Sequence, residues 1–131
     1  MIEYKVNFPI SPAQYIELLA HTSLGERRPL ADIERIGEML HNTNLLITAW
    51  QGEQLIGLAR SFTDFAYCCY LCDLAVHDDF QRQGIGQELI NRTKAALHSQ
   101  AKIVLLAAPK AVDYYPHIGF EQHMSAWVKT A

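Results

Sequence analysis

Apolar positions recur along this chain at two spacings, and each change of spacing marks an element. From Met1 to Phe8, Ile2, Tyr4, Val6 and Phe8 stand against Glu3, Lys5 and Asn7, the period of two of a half-buried strand. Pro9 ends it. Ser11 followed by Pro12 predicts a helix start, with serine as cap and proline in the first turn. Tyr15, Leu18 and Leu19 supply that helix's apolar stripe, and an end is expected between His21 and Gly25. A second helix is expected to lead out of Arg27–Asp32 and run to about Asn42, with Leu30, Ile33, Ile36, Gly37 and Leu40 at three- and four-residue spacing.

The period then shortens again. Leu45 to Trp50 and Leu55 to Phe62 read as strands around the turn Gln51-Gly52-Glu53-Gln54, and Ala66 to Val76 returns as a central strand. That last strand is apolar on both faces except for Asp73. A buried carboxylate has to be paired or protonated, so Asp73 is either a structural partner or part of an active site. Gly84 to about Ser99 predicts a third helix, packed through Ile85, Leu89, Ile90, Ala96 and Leu97. Lys102 to Ala107 reads as a buried strand, Ala111 to His117 as a short helix or turn, and Phe120–Gln122 and Ala126–Lys129 as short terminal strands. Strand, helix and strand around Gly84 to Ser99 make one βαβ unit, whose strands run parallel. The expected fold class is therefore α/β in the α+β sense. It is one domain over residues 1–131, with a mixed, mostly antiparallel sheet of about six to seven strands and helices on both faces.

Composition narrows the function classes. Half of the 131 residues are apolar and 19% are charged, with a net charge of −3, which argues against a nucleic-acid binder held by a broad basic face. No run of about 18 apolar residues is present and no basic start leads into a long apolar stretch, so no membrane segment is expected and a cytoplasmic location is. Cys68, Cys69 and Cys72 lie in one apolar run. Zinc would need a second ligand pair, so no metal is expected and the thiols read as small packing groups.

The chemistry concentrates in Gln81-Arg82-Gln83-Gly84-Ile85-Gly86-Gln87, between the central strand and the third helix. The first N–H groups of a helix lack intrahelical partners, glycine lets the backbone come close to an anion, and the helix dipole adds positive potential. No carboxylate stands in that turn. It is not a Walker A loop, since no lysine follows Gly86 before Lys94, nor a dinucleotide fingerprint, since position 89 is leucine rather than a third glycine.

The run Gln81-x-x-Gly84-x-Gly86 after a strand resembles the coenzyme A signature of the GCN5-related N-acetyltransferase (GNAT) superfamily. Tyr114-Tyr115-Pro116-His117-Ile118-Gly119-Phe120, about thirty residues on, resembles that family's second mark, a tyrosine pair followed by Gly-Phe. The resemblance implies acetyl-CoA as co-substrate, its pyrophosphate held by Gln81, Arg82, Gln83, Gly84, Ile85, Gly86 and Gln87. It further implies a bulged strand whose backbone at Leu74, Ala75 and Val76 faces the pantetheine arm. By position Tyr115 would donate a proton to the departing thiolate, with Tyr114 facing the core; a packed aromatic is the other reading of Tyr115, and Pro116 is expected to bias it away from helical dihedrals. Asp73, His77 and His117 are the candidates for receiving the amine's proton. Arg27 and Arg28 read as a solvated loop, or, where the resemblance places them over the acceptor site, as a grip on an acidic substrate.

An acetyl transfer to a primary amine by direct attack is thus the leading expectation. An acyl-CoA-binding sensor or docking module and a structural protein are the alternatives. The compact chain and the aromatic residues Phe62, Phe65, Tyr67 and Tyr70 suggest a small-molecule acceptor, aromatic or cationic, and apolar strand edges near residue 131 suit a homodimer.

Overall fold

The computed structural model describes all 131 residues. Strands β1 (Ile2–Val6), β2 (Leu45–Gln51), β3 (Gln54–Thr63), β4 (Cys68–Val76) and β5 (Lys102–Val104) form one sheet in chain order. The pairs β1–β2, β2–β3 and β3–β4 are antiparallel and β4–β5 is parallel. Helices α1 (Pro12–Ala20) and α2 (Ile33–His41) cover one face, while α3 (Ile85–Ala95) covers the other and carries the crossover from β4 to β5. No helix is long and apolar enough to cross a membrane.

Two cores follow from the strand period. Leu46, Trp50, Leu55, Leu58 and Ala75 point to Tyr15, Leu18, Leu19 and Ile36. Leu45, Ile47, Ala49, Ile56, Ala59 and Leu71 point to Ile85, Leu89 and Ile90. With both faces covered, β2 and β3 read as near-continuous apolar runs.

Local chemistry sets the element ends. Ser11 caps α1 in a reciprocal box, its Oγ accepting from Gln14 N at 3.1 Å while its own N–H gives to Gln14 Oε1 at 2.8 Å. Asp32 caps α2 by accepting from Arg35 N at 3.1 Å, and Ile33 turns out 58% exposed rather than packed. Asp64 Oδ1 takes the N–H groups of Ala66, Tyr67 and Cys68 at 3.0, 2.8 and 3.0 Å, so β4 starts at Cys68 and not at Ala66.

The sheet has five strands, and neither expected terminal strand forms. β5 pairs with β4 at three positions and ends at Val104, before the expected Ala107. Having left the sheet there, the chain has no ladder to extend, and residues 121–131 are all exposed, with Met124 at 86% and Trp127 at 91%.

Candidate functional site

The site begins with a mismatch between β3 and β4. Arg60 pairs with Asp73 but Ser61 pairs with Leu71, so Cys72 is an extra residue bulged out of the ladder. The bulge bends β4 where β5 leaves it, since the two strands are paired only as far as Tyr70 and Val104. Between them opens a small cavity of about 50 Å³. Leu71, Cys72 and Leu74 form one wall and Leu105, Leu106 and Ala108 the other, with Tyr115 at one side and Arg28 at another. Of the expected strand residues Leu74 lines this cavity, Val76 is half-buried and Ala75 turns into the core on the α1 face.

Beyond β4 the chain makes the anticipated turn. Gln81 spends its side-chain amide on Val76 O at 2.7 Å, tying the turn to the strand end. Arg82 has φ 62° and Gly84 φ 77°, two left-handed residues that swing the backbone into α3. Nothing lies within 4 Å of the position a Cβ would take on Gly84. Gly84 caps α3 without a side chain, and the N–H groups of Ile85, Gly86 and Gln87 find no acceptor. These donors, with exposed Arg82 and Gln83 beside them, make a concave anion seat. Gly86 gives room to a neighbour: its Cβ would stand 2.9 Å from the Tyr114 hydroxyl, so a side chain there would push the end of that tyrosine aside.

The tyrosine pair is arranged otherwise than expected. Tyr114 does not face the core; it is 39% exposed and its hydroxyl lies against Gly86. Tyr115 is half-buried, edge-on to Tyr114 and Phe120 at 5.3 and 5.5 Å. Burial, and the neighbouring Tyr114, push its phenol above the ordinary tyrosine value, so it holds its proton at neutral pH. Pro116 does not keep Tyr115 out of a helix. Tyr115 lies in α4 (Tyr114–His117), a single turn whose proline falls too early to clash with a helical carbonyl before it.

The proton-acceptor candidates part company here. Asp73, its side chain wholly buried, accepts from Tyr15 Oη and Arg60 Nε at 2.6 Å each and from Arg28 Nε at 2.7 Å. Burial alone raises its carboxyl, but the guanidinium of Arg60, then the Tyr15 hydroxyl and Arg28, outweigh that and hold it below the usual range. Such a carboxylate is a poor base. His77 stacks on His21 at 4.5 Å in a separate cavity of about 330 Å³, also lined by Glu17 and Glu53, and its Nδ1 accepts from Asp79 N at 3.1 Å. His117 is exposed on α4. All three thiols are free, and Cys72 Sγ accepts from Arg60 Nη2 at 3.2 Å.

Two arginines stand at the site: Arg28, read from the sequence either as a solvated loop residue or as a grip on an acidic substrate, and Arg60, which the sequence left unassigned. Arg28 is no solvated loop residue, its side chain being 19% exposed, whereas Arg27 is exposed. Arg60 lies 3% exposed in the middle of an apolar strand. Its signal was legible: a hairpin that carries one buried acid on β4 and one arginine on β3 invites their pairing.

Comparison with known proteins bears on the family and the fold. A family model described as an acetyltransferase (GNAT) domain matches residues 26–130. An uncharacterized N-acetyltransferase, ycf52, of Gracilaria tenuistipitata var. liui is 32% identical over 97 residues, covering 72% of this chain and 53% of the relative. A GCN5-related N-acetyltransferase 2, chloroplastic, of Arabidopsis thaliana is 36% identical over 73 residues, covering 54% and 28%. The chain thus spans about half or less of the length of these curated relatives. In three dimensions a GNAT family acetyltransferase of Streptococcus pneumoniae TIGR4 superposes with a TM-score of 0.76 at 22% identity, over 100% of both chains.

Proposed function

The chain belongs to the GNAT acetyltransferase family, and from that premise we propose that it is an enzyme moving an acetyl group from acetyl-CoA to the primary amine of a small molecule, by direct attack with both substrates bound. One observation carries the reading. The unpartnered N–H groups of Ile85, Gly86 and Gln87 begin a helix whose Gly86 lies against Val76 and the Tyr114 hydroxyl, and the adjacent Tyr115 lines the cavity where β4, bulged at Cys72, parts from β5. An anion seat and an adjoining apolar slot suit a phosphate-bearing thioester with a long neutral arm, and suit neither a nucleotide triphosphate nor a dinucleotide.

The residues present fit that co-substrate, which supplies the activated acetyl group. The N–H groups at the start of α3 and the Arg82 side chain would hold its pyrophosphate, and the backbone from Leu74 to Val76 would lie along its arm. A preorganised strand N–H near the thioester oxygen is worth about 10²–10³ in rate. Tyr115, protonated and on the wall of the slot, is placed to give a proton to the departing thiolate. Asp73, locked by its arginines, does not take the amine's proton, and with His77 in a separate cavity the proton goes to His117 or to solvent. The free outer edge of β5 and the exposed Met124, Trp127 and Val128 support a homodimer.

Thermal unfolding with acetyl-CoA, coenzyme A, ATP and NAD tests the reading. At about 100 times its Kd a ligand adds about 2.7 kcal/mol, so protection is expected from the two coenzyme A forms alone. Absence of protection in folded protein would reduce the turn at Gly84 to a turn.

A further inference from the structure

Among the residues around the small cavity at the parting of β4 and β5, one side chain alone is charged, and it is Arg28. A guanidinium carries five N–H groups. Arg28 Nε gives one to Asp73 Oδ1 at 2.7 Å, Nη1 one to Arg27 O at 2.9 Å, and Nη2 one to Cys72 O at 2.8 Å. Two N–H groups, one on each terminal nitrogen, are left without a protein acceptor.

The charge around Arg28 is likewise incomplete. Asp73 is shared between Arg28 and Arg60, and neither arginine pairs with any other carboxylate. Tyr15 cannot compensate, because burial, the Asp73 carboxylate and its hydrogen bond to that carboxylate push its phenol far up and keep it neutral. The cluster therefore holds two positive charges against one negative. Arg60 is 3% exposed, so the excess reaches outward only through Arg28. An unpaired charge loses its compensation by water when a ligand closes over it, so the fitting ligand brings an anion.

We propose that the acetyl acceptor is an amine bearing a carboxylate, bound through Arg28 at the side of the cavity where that residue stands: an amino acid or a close analogue. This inference rests on the reading of the slot as an acetyl-transfer site and turns the expectation away from a cationic acceptor. No acidic residue lines the cavity, so a second ammonium there meets no partner and meets Arg28 instead. Planar carboxylate recognition is what the guanidinium does well.

The experiment follows thiol release from acetyl-CoA with matched acceptors: phenylalanine against phenethylamine, leucine against isopentylamine, and methionine against 3-(methylthio)propylamine. For the wild type, kcat/KM is expected to be at least about tenfold higher for the carboxylated member, and in Arg28→Gln the ratio falls toward one, with Arg28→Lys between. A ratio that survives Arg28→Gln while both rates fall together overturns the proposal, since Arg28 would then act on the thioester or the fold. If Arg28→Gln does not fold, the wild type is tested with 3-phenylpropanoate and 3-phenylpropanamide. Inhibition competitive with the amine by the carboxylate alone supports the proposal, and equal inhibition by the amide overturns it. Protection by acetyl-CoA without turnover of any carboxylated amine overturns this inference alone, whereas no protection removes the acetyl-transfer reading and this with it.

Discussion

Replacing Asp73 by asparagine keeps the size of the side chain and removes one charge from the cluster behind the slot. The carboxylate is wholly buried and accepts three hydrogen bonds of 2.6 to 2.7 Å. Deleting one member of a buried ion pair costs about 3–5 kcal/mol, because the partner is left charged and desolvated. Asparagine still offers one acceptor oxygen, and Arg28, at 19% exposure, can turn to water; Arg60, at 3%, cannot. The low end, about 3 kcal/mol, is therefore expected. With a urea slope of about 1–3 kcal/mol per molar for a small protein, the unfolding midpoint at pH 7 should fall by about 1.5 M. The pH dependence follows from the depressed carboxyl of Asp73. Its contribution is fully present above the unfolded carboxyl's pKa of about 3.9 and is lost as pH falls through the folded value. The gap between wild type and Asp73→Asn should thus be constant from about pH 5 to 7 and narrow below about pH 4. A midpoint within about 0.3 M of the wild type at pH 7, or a gap that narrows as pH rises, would refute the arrangement.

The anion seat is tested by Gly84→Glu. Its φ of 77° makes the change cost about 1–2 kcal/mol in backbone strain, and the added carboxylate should abolish acetyl-CoA protection in thermal unfolding while Gly84→Ala, equally strained, keeps it. Tyr115→Phe should lower kcat by about 10²-fold with little change in the acetyl-CoA Kd by calorimetry; an unaltered rate would leave Tyr115 a packing aromatic. Ser11→Ala should lose about 1 kcal/mol of stability in urea unfolding, without effect on acetyl-CoA binding, because it removes the Oγ that accepts from Gln14 N at the start of α1, while the backbone N–H of residue 11 keeps its bond to Gln14 Oε1.

What the sequence could say was set by how local each signal is. Ser11-Pro12, Gln81 to Gly86 and the period of two in β1 are read from neighbours a few residues apart, and each forms the element it predicts, although Val6 is 54% exposed where the alternation places it inside. Position 72 carries no such signal. A bulge is a property of register, decided by where Arg60 and Leu71 find their partners across the sheet. The pairing of Arg28 with Asp73 was hidden for the same reason, since a loop arginine shows no partner until the fold brings a carboxylate 45 residues away within reach. The terminal strands failed in the opposite direction. Short apolar stretches over 120–129 have β propensity, but propensity needs a partner edge, and β5 is three residues long.

The buried charge and the bulge explain each other. A bulged residue has a carbonyl that its ladder cannot satisfy, and leaving it unpaired beside an apolar cavity would cost about 1–3 kcal/mol. Arg28 Nη2 takes the Cys72 carbonyl at 2.8 Å, and Arg60 Nη2 reaches its sulfur at 3.2 Å. Two cations brought to one bulge repel each other and need an anion between them, which β4 supplies from the next residue, Asp73. The bend that opens the slot is therefore fixed by side chains from β3 and from the segment between α1 and α2, not by β4 itself. That segment, Ser23–Arg28, forms the far wall of the cavity. The same guanidinium thus holds the slot open and faces whatever enters it, so the geometry of β4 and the charge offered to the acceptor cannot vary independently.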